Sequence, residues 1–91
     1  MAKFYTILMN CHGRTPPNSA VEHALNGEPD WLRLTMTQYL VRSDKSAAQI
    51  YDLVKPMLHT ADTVMVVELN LSNRRGWVVK TVREWLAKQP T

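Results

Sequence analysis

The 91-residue chain holds one cysteine, Cys11, so no disulfide can form within it. No apolar run approaches the roughly 18 residues of a membrane span, and the longest, around Val64 to Val67, is only strand-sized. The first residues lack the basic, apolar and small-residue order of a secretory signal. These absences lead us to expect a protein of the reducing cytoplasm, with no membrane partner. Zinc chemistry is poorly provided for, because Cys11, His12, His23 and His59 show none of the ligand spacings of a zinc site. No cofactor motif occurs. The length and a hydrophobic content of 45% leave room for one domain, residues 1–91, around one modest core. The net charge of +3 slightly favours anionic partners without naming one.

What is present reads as alternating strands and helices. Phe4 to Met9 is apolar and β-prone, and the polar run Asn10 to Asn18 with Gly13, Pro16 and Pro17 bounds it. Ser19-Ala-Val-Glu22 fits a capping box, in which the serine oxygen accepts a backbone N–H and the glutamate reaches back to another. Val21, Ala24 and Leu25 follow at helical spacing, with Gly27 as the natural stop. After Glu28-Pro29-Asp30, the runs Trp31 to Thr35 and Thr37 to Ser43 predict two strands joined by a tight hairpin near Met36. Ser46-Ala-Ala-Gln49 is a second capping box, and Ile50, Leu53, Val54 and Met57 recur at i, i+3, i+4 and i+7 behind it. Pro56 removes a backbone donor, which predicts a bend or tightened last turn between Asp52 and Leu58.

Val64 to Leu69 carries apolar residues on both sides of its pleat, the mark of a central strand covered twice. The first strand has the same character, with Phe4 and Leu8 on one side and Tyr5, Ile7 and Met9 on the other. The order β-α-β-β-α-β matches an α+β, ferredoxin-like antiparallel sheet, expected here with the first and last strands side by side in its middle. Two helices would cover one face. The other falls to an added C-terminal helix, Val79 to Lys88, whose Val79, Val82, Trp85 and Leu86 oppose Lys80, Arg83 and Lys88, or to a second copy of the chain. Tyr5, Ile7, Met65 and Val67 are expected to share that second face.

Several landmarks carry a resemblance. Trp31, the Tyr39-Leu-Val-Arg-Ser-Asp44 strand end, Ser46-Ala47, Ile50, Leu53, Pro56, Leu58, Asp62, the Val64 to Leu69 strand with Glu68, and Gly76-Trp77 before Lys80 and Trp85-Leu86 resemble short bacterial proteins labelled SinR-like. That family is similar in fold to the nuclease-like subunit of CRISPR spacer acquisition and to the VapD toxin nucleases. The resemblance implies a ferredoxin-like fold and a homodimer. In the CRISPR-associated proteins the first strand ends in an aspartate held to bind a divalent metal. Asn10 stands at the matching place here, and a neutral amide is a poor ligand for magnesium.

Other chemistry is sparse. Cys11-His12 is an adjacent thiol and imidazole, but a nucleophile needs a base placed in space, and a loop cysteine beside a solvated histidine is the plainer reading. Glu22 and Asp52 read as exposed helix carboxylates, whereas Glu68 stands either at the sheet end or partly buried with a partner. No catalytic residue is assigned. The basic set Arg74, Arg75, Lys80, Arg83 and Lys88 faces a single acid, Glu84. Its arginines could grip phosphates while Trp77 stacks on a base. The preferred alternative leaves the arginines solvated and makes Trp77 a core plug before the last helix. The expected function is a non-enzymatic interaction or dimerisation module. A nucleic-acid-binding protein, or a degenerate nuclease using Arg74, Arg75, Trp77, Lys80 and Arg83, is the alternative.

Overall fold

The computed structural model describes residues 2–90. Four strands and three helices follow in the order β1 (Lys3–Asn10), α1 (Asn18–Leu25), β2 (Asp30–Thr35), β3 (Gln38–Ser43), α2 (Ala47–Val54), β4 (Thr63–Leu69) and α3 (Lys80–Ala87). A 3₁₀ turn, Lys55–Met57, closes α2 where Pro56 ends the supply of backbone donors. The strands form one α+β sheet in the order β2-β3-β1-β4, and every neighbouring pair is antiparallel. β1 and β3 are therefore the inner strands. β4 lies beside β1, as expected, but at an edge and not in the middle of the sheet.

The pleat sorts the side chains into two cores. On one face Tyr5, Ile7, Met9, Tyr39 and Val41 pack against Val21 and Leu25 of α1 and Ile50 and Val54 of α2. Eight of these nine are essentially inaccessible, and each such aliphatic or aromatic side chain contributes about 1.5–3 kcal/mol by leaving water. The 3.6-residue spacing on α2 is what aims Ile50 and Val54 at the sheet together. Its N-terminus is capped as predicted: Ser46 Oγ accepts from the Gln49 N–H at 3.2 Å, and Gln49 Oε1 accepts from the Ser46 N–H at 2.8 Å.

The predicted cap of α1 does not form. Pro17 occupies the N-cap, the helix begins at Asn18, and Ser19 lies inside it with no capping contact. Asn18 instead donates to the Met36 carbonyl and the Tyr39 hydroxyl, tying the helix start to the β2–β3 hairpin. Nor does Gly27 supply a left-handed stop, because the C-cap is Asn26 in the right-handed helical region.

The opposite face holds a smaller core of Phe4, Leu40, Leu71 and Trp85, flanked by Leu32, Leu34, Leu69 and Leu86. Trp85 meets Phe4 edge to face, centroids 6.4 Å apart at 87°. Gln89 donates to the Trp85 carbonyl at 3.0 Å and to Asp30 at 3.1 Å, so the end of α3 is pinned to the start of β2. Burial pushes the Asp30 carboxyl up. The Gln89 amide, the nearby Trp85 indole, the Trp31 N–H and the Lys88 charge outweigh that and hold it below its ordinary value.

α3 lies closest to β2, its Trp85 reaching across to Phe4 of β1, and the Met65 and Val67 part of β4 on this face stays open. Ile7 pairs with Val66 and Tyr5 with Glu68, so Tyr5 and Ile7 face α1 and α2. Met65 and Val67 look the other way, beside Leu8 and Thr6. Grouping Tyr5 and Ile7 with Met65 and Val67 is thus corrected by the register. The open patch is Leu8, Met65 and Val67, with Met65 55% and Val67 37% exposed.

Candidate functional site

The C-terminal segment 72–79, which joins β4 to α3, is exposed throughout. Trp77 is 99% exposed and Val79 70% exposed. The expectation that Trp77 plugs the core before the last helix is overturned. Leu71 and Trp85 already fill the space beneath α3, and the chain arches past it. Gly76 lies in open space, so nothing close by presses the loop back onto the domain.

The basic residues of this segment divide into two groups. Arg74 donates to the Leu71 carbonyl at 2.8 Å and to the Leu86 carbonyl at 3.5 Å, which fastens the base of the loop to the end of α3. Arg75, Lys80 and Arg83 are exposed, and among the described residues none of their side chains makes a hydrogen bond or ion pair. Lys80 and Arg83 stand three apart on α3, hence on one side of the helix, while Val82 and Trp85 are buried. The structure thus gathers Arg75, Trp77, Lys80 and Arg83 on one exposed stretch and turns Arg74 to a structural task.

At the end of β1, Asn10 Oδ1 accepts from the His12 N–H at 2.9 Å, while the Arg14 N–H donates to the Cys11 carbonyl at 3.0 Å. His12 and Gly13 both have positive φ, 51° and 84°, the backbone of a mirror-image turn that glycine adopts readily and histidine does not. Asn10 therefore serves the turn. Cys11 is buried and His12 exposed, so the two side chains do not form a shared reactive site. Among the described residues, no three His, Cys, Asp or Glu side chains come together as a metal-binding group.

Two polar clusters had little or no sequence signal. Glu28, read only as part of a chain break, is buried: its carboxylate accepts from the Ser43 hydroxyl and from Lys45 Nζ at 2.6 Å. The cluster locks the α1–β2 turn to the end of β3. Asp62 accepts from the His59 N–H at 2.8 Å and pairs with Arg14, joining the loops at one end of the sheet. The His59 N–H, with the Arg14 guanidinium behind it, holds the Asp62 carboxyl below its ordinary value. Glu22 is not merely a solvated helix carboxylate, since it accepts from the Tyr39 hydroxyl at 3.0 Å and pairs with Arg33 at 3.3 Å. Burial pushes the Tyr39 phenol up, and the Glu22 carboxylate adds to that against the opposing Asn18 amide. Glu68 lies exposed near the end of β4.

A cleft of about 420 Å³ lies between α2 and the start of β4, bordered by Tyr51, Lys55, His59, Thr60 and Thr63. Lys55 Nζ sits 5.3 Å from the Tyr51 ring centre, a cation-π contact on its wall. His59 and Asp62 both line it, but the Asp62 carboxylate is already engaged by the His59 N–H and the Arg14 guanidinium. Compared with protein-family models, curated proteins and solved structures, the chain matches none.

Proposed function

We propose that the chain is a non-enzymatic interaction module of ferredoxin-like fold and SinR-like kind, working as a homodimer in the cytoplasm of a bacterium. The fold reading is supported by the arrangement of crossovers. β1 and β2 run parallel with β3 between them, β3 and β4 run parallel with β1 between them, and α1 and α2 pack on the same face. A buried free thiol at Cys11 accords with a reducing compartment.

The observation that carries the dimer is the open apolar patch at the β4 side. β4 is an edge strand whose outer backbone groups have no neighbour in the sheet, and Glu68 is its only charged residue. Proteins usually guard such an edge with lysine, proline or a bulge, because it is otherwise a template for another strand. Here Met65, Val67 and Leu8 extend the same region into an apolar surface that a second copy would cover. Sedimentation over a wide concentration range should show dimers, and a Met65→Lys, Val67→Lys double variant should sediment as a monomer. A strictly monomeric parent at high concentration overturns the proposal.

A second reading, nucleic-acid binding through residues 74–88, is favoured by one observation: Trp77 stands free in solvent on a chain segment whose Arg75, Lys80 and Arg83 are also exposed.

A further inference from the structure

We infer that the exposed stretch from Arg75 to Arg83 is a platform for single-stranded nucleic acid, with Trp77 stacking on an unpaired base and Arg75, Lys80 and Arg83 neutralising the flanking phosphates. The inference rests on the nucleic-acid reading above and specifies its ligand.

The charge distribution is the first support. Residues 70–91 hold five basic residues and one acid, while residues 1–69 hold six basic residues and seven acids. The whole positive excess of the chain therefore lies in this segment. Three of the six N-terminal cations are used internally, as Arg14 with Asp62, Arg33 with Glu22 and Lys45 with Glu28. Arg75, Lys80 and Arg83 have no such partner among the described residues. Unpaired cations concentrated on one stretch are what a polyanion selects, through release of its condensed counterions.

The tryptophans supply the second support. Trp31 packs against the main core and donates its indole N–H to Asn26 at 3.2 Å, and Trp85 is buried under α3. Trp77 alone presents its ring to water, although a tryptophan is among the most rewarding side chains to bury. An open ring beside cations is the combination that binds unpaired bases, since every base has a face to stack.

The same geometry selects a single strand over a duplex. Bases inside a duplex have their faces occupied by one another, so Trp77 could reach one only at an end or a break. Nor is α3 placed to enter a groove, because it spans only eight residues, about 12 Å, and lies on the sheet through Val82 and Trp85. A membrane surface is the less fitting partner. Val78 is partly covered, and the remaining apolar surface of Trp77 and Val79 is smaller than that of one acyl chain, which itself gives only marginal binding.

The test uses the full chain and a fluorescein-labelled oligo-dT strand, the same length of oligo-U, a matched duplex, and vesicles of phosphatidylcholine with phosphatidylserine. Anisotropy across a salt series should show both single strands binding, with a log–log salt slope near −2 for three phosphate contacts at about 0.7 each. Trp77→Ala should weaken single-strand binding about ten- to a hundredfold with an unchanged melting temperature, and Trp77→Phe should restore most of it. Lys80→Ala and Arg83→Ala should each lower the slope by about 0.7. A Trp77→Ala variant that binds as tightly as the parent overturns the platform. Duplex binding equal to or tighter than single-strand binding also overturns it, while leaving the nucleic-acid reading standing. Binding of neither oligonucleotide at low salt removes both, and binding to the vesicles alone identifies the stretch as a membrane contact instead.

Discussion

Trp85 offers the sharpest test of how the second core is held. Its ring is 6% exposed, meets Phe4 edge to face at 6.4 Å and packs with Leu40 and Leu71. Truncation to alanine removes a buried aromatic and leaves a cavity, at a cost of about 3–5 kcal/mol. Of this, the edge-to-face pair accounts for about 0.5–1.5 kcal/mol. A domain of 91 residues has a total stability of about 5–14 kcal/mol, so the loss is at least about a fifth of the whole. With about 4–8 °C of melting temperature per kcal/mol at this size, the midpoint should fall by well over 10 °C. α3 has eight residues, fewer than the 12–15 or so at which an isolated helix becomes even marginal. It should therefore unravel when its anchor goes. Urea titrations followed by far-ultraviolet dichroism measure the loss, and a reduced denaturant slope would report α3 already released in the folded state. Trp85→Phe should cost about 1 kcal/mol, because it keeps a ring against Phe4 while removing an indole N–H that has no acceptor in hydrogen-bond geometry. Arg83→Ala, on the exposed side, should change stability by no more than about 0.5 kcal/mol. A Trp85→Ala variant as stable as the parent would refute the docking of α3.

Glu28→Ala should cost about 1–3 kcal/mol by chemical denaturation, since it leaves the buried Ser43 hydroxyl without its acceptor while the partly exposed Lys45 ammonium can turn to water. Asp30 and Asp62 are both more acidic folded than unfolded. Their contribution is therefore complete above the ordinary value of 3.8 and is lost as pH falls through the lower folded values. Melting temperature should drop on acidification in that range, and Asp62→Asn should flatten part of the drop; an unchanged acid limb would refute the assignment. Incubation with RNA and DNA in magnesium or manganese should leave both intact. Cleavage that disappears in Asn10→Ala would show that the turn residue is a metal ligand after all.

The α2 cap and apolar stripe were legible because they depend on neighbours within one turn. Ser46, Gln49, Ile50 and Val54 do in the fold what their spacing says. The hairpin around Met36 and the tightened turn at Pro56 are local in the same way. What depended on distant partners was misread. Val64 to Leu69 has the continuous apolar character of an inner strand, yet its register places Met65 and Val67 on a face that α3, seated toward β2, does not reach. Trp77 sits before an amphipathic helix, where a plug would be useful, but Leu71 and Trp85 compete for the same space and win it. Ser19 has the spacing of a cap, but Pro17 starts the helix earlier and Glu22 is drawn to Tyr39 and Arg33 instead. Glu28 had no signal, because the partner that justifies its burial, Ser43, lies fifteen residues away on another strand.

The place of β1 at the centre of the sheet governs how the chain can be made. Made before either of its partners, it has no strand to bond until Gln38–Ser43 emerges, and its other neighbour ends at Leu69, paired with Phe4. At about 5–20 residues per second this leaves several seconds in which Phe4, Tyr5, Ile7 and Met9 travel uncovered. Such long-range closure slows folding compared with a helical bundle of equal length. A chain truncated within β4 should therefore stay aggregation-prone, while one that ends just after Leu71 already has every strand it needs.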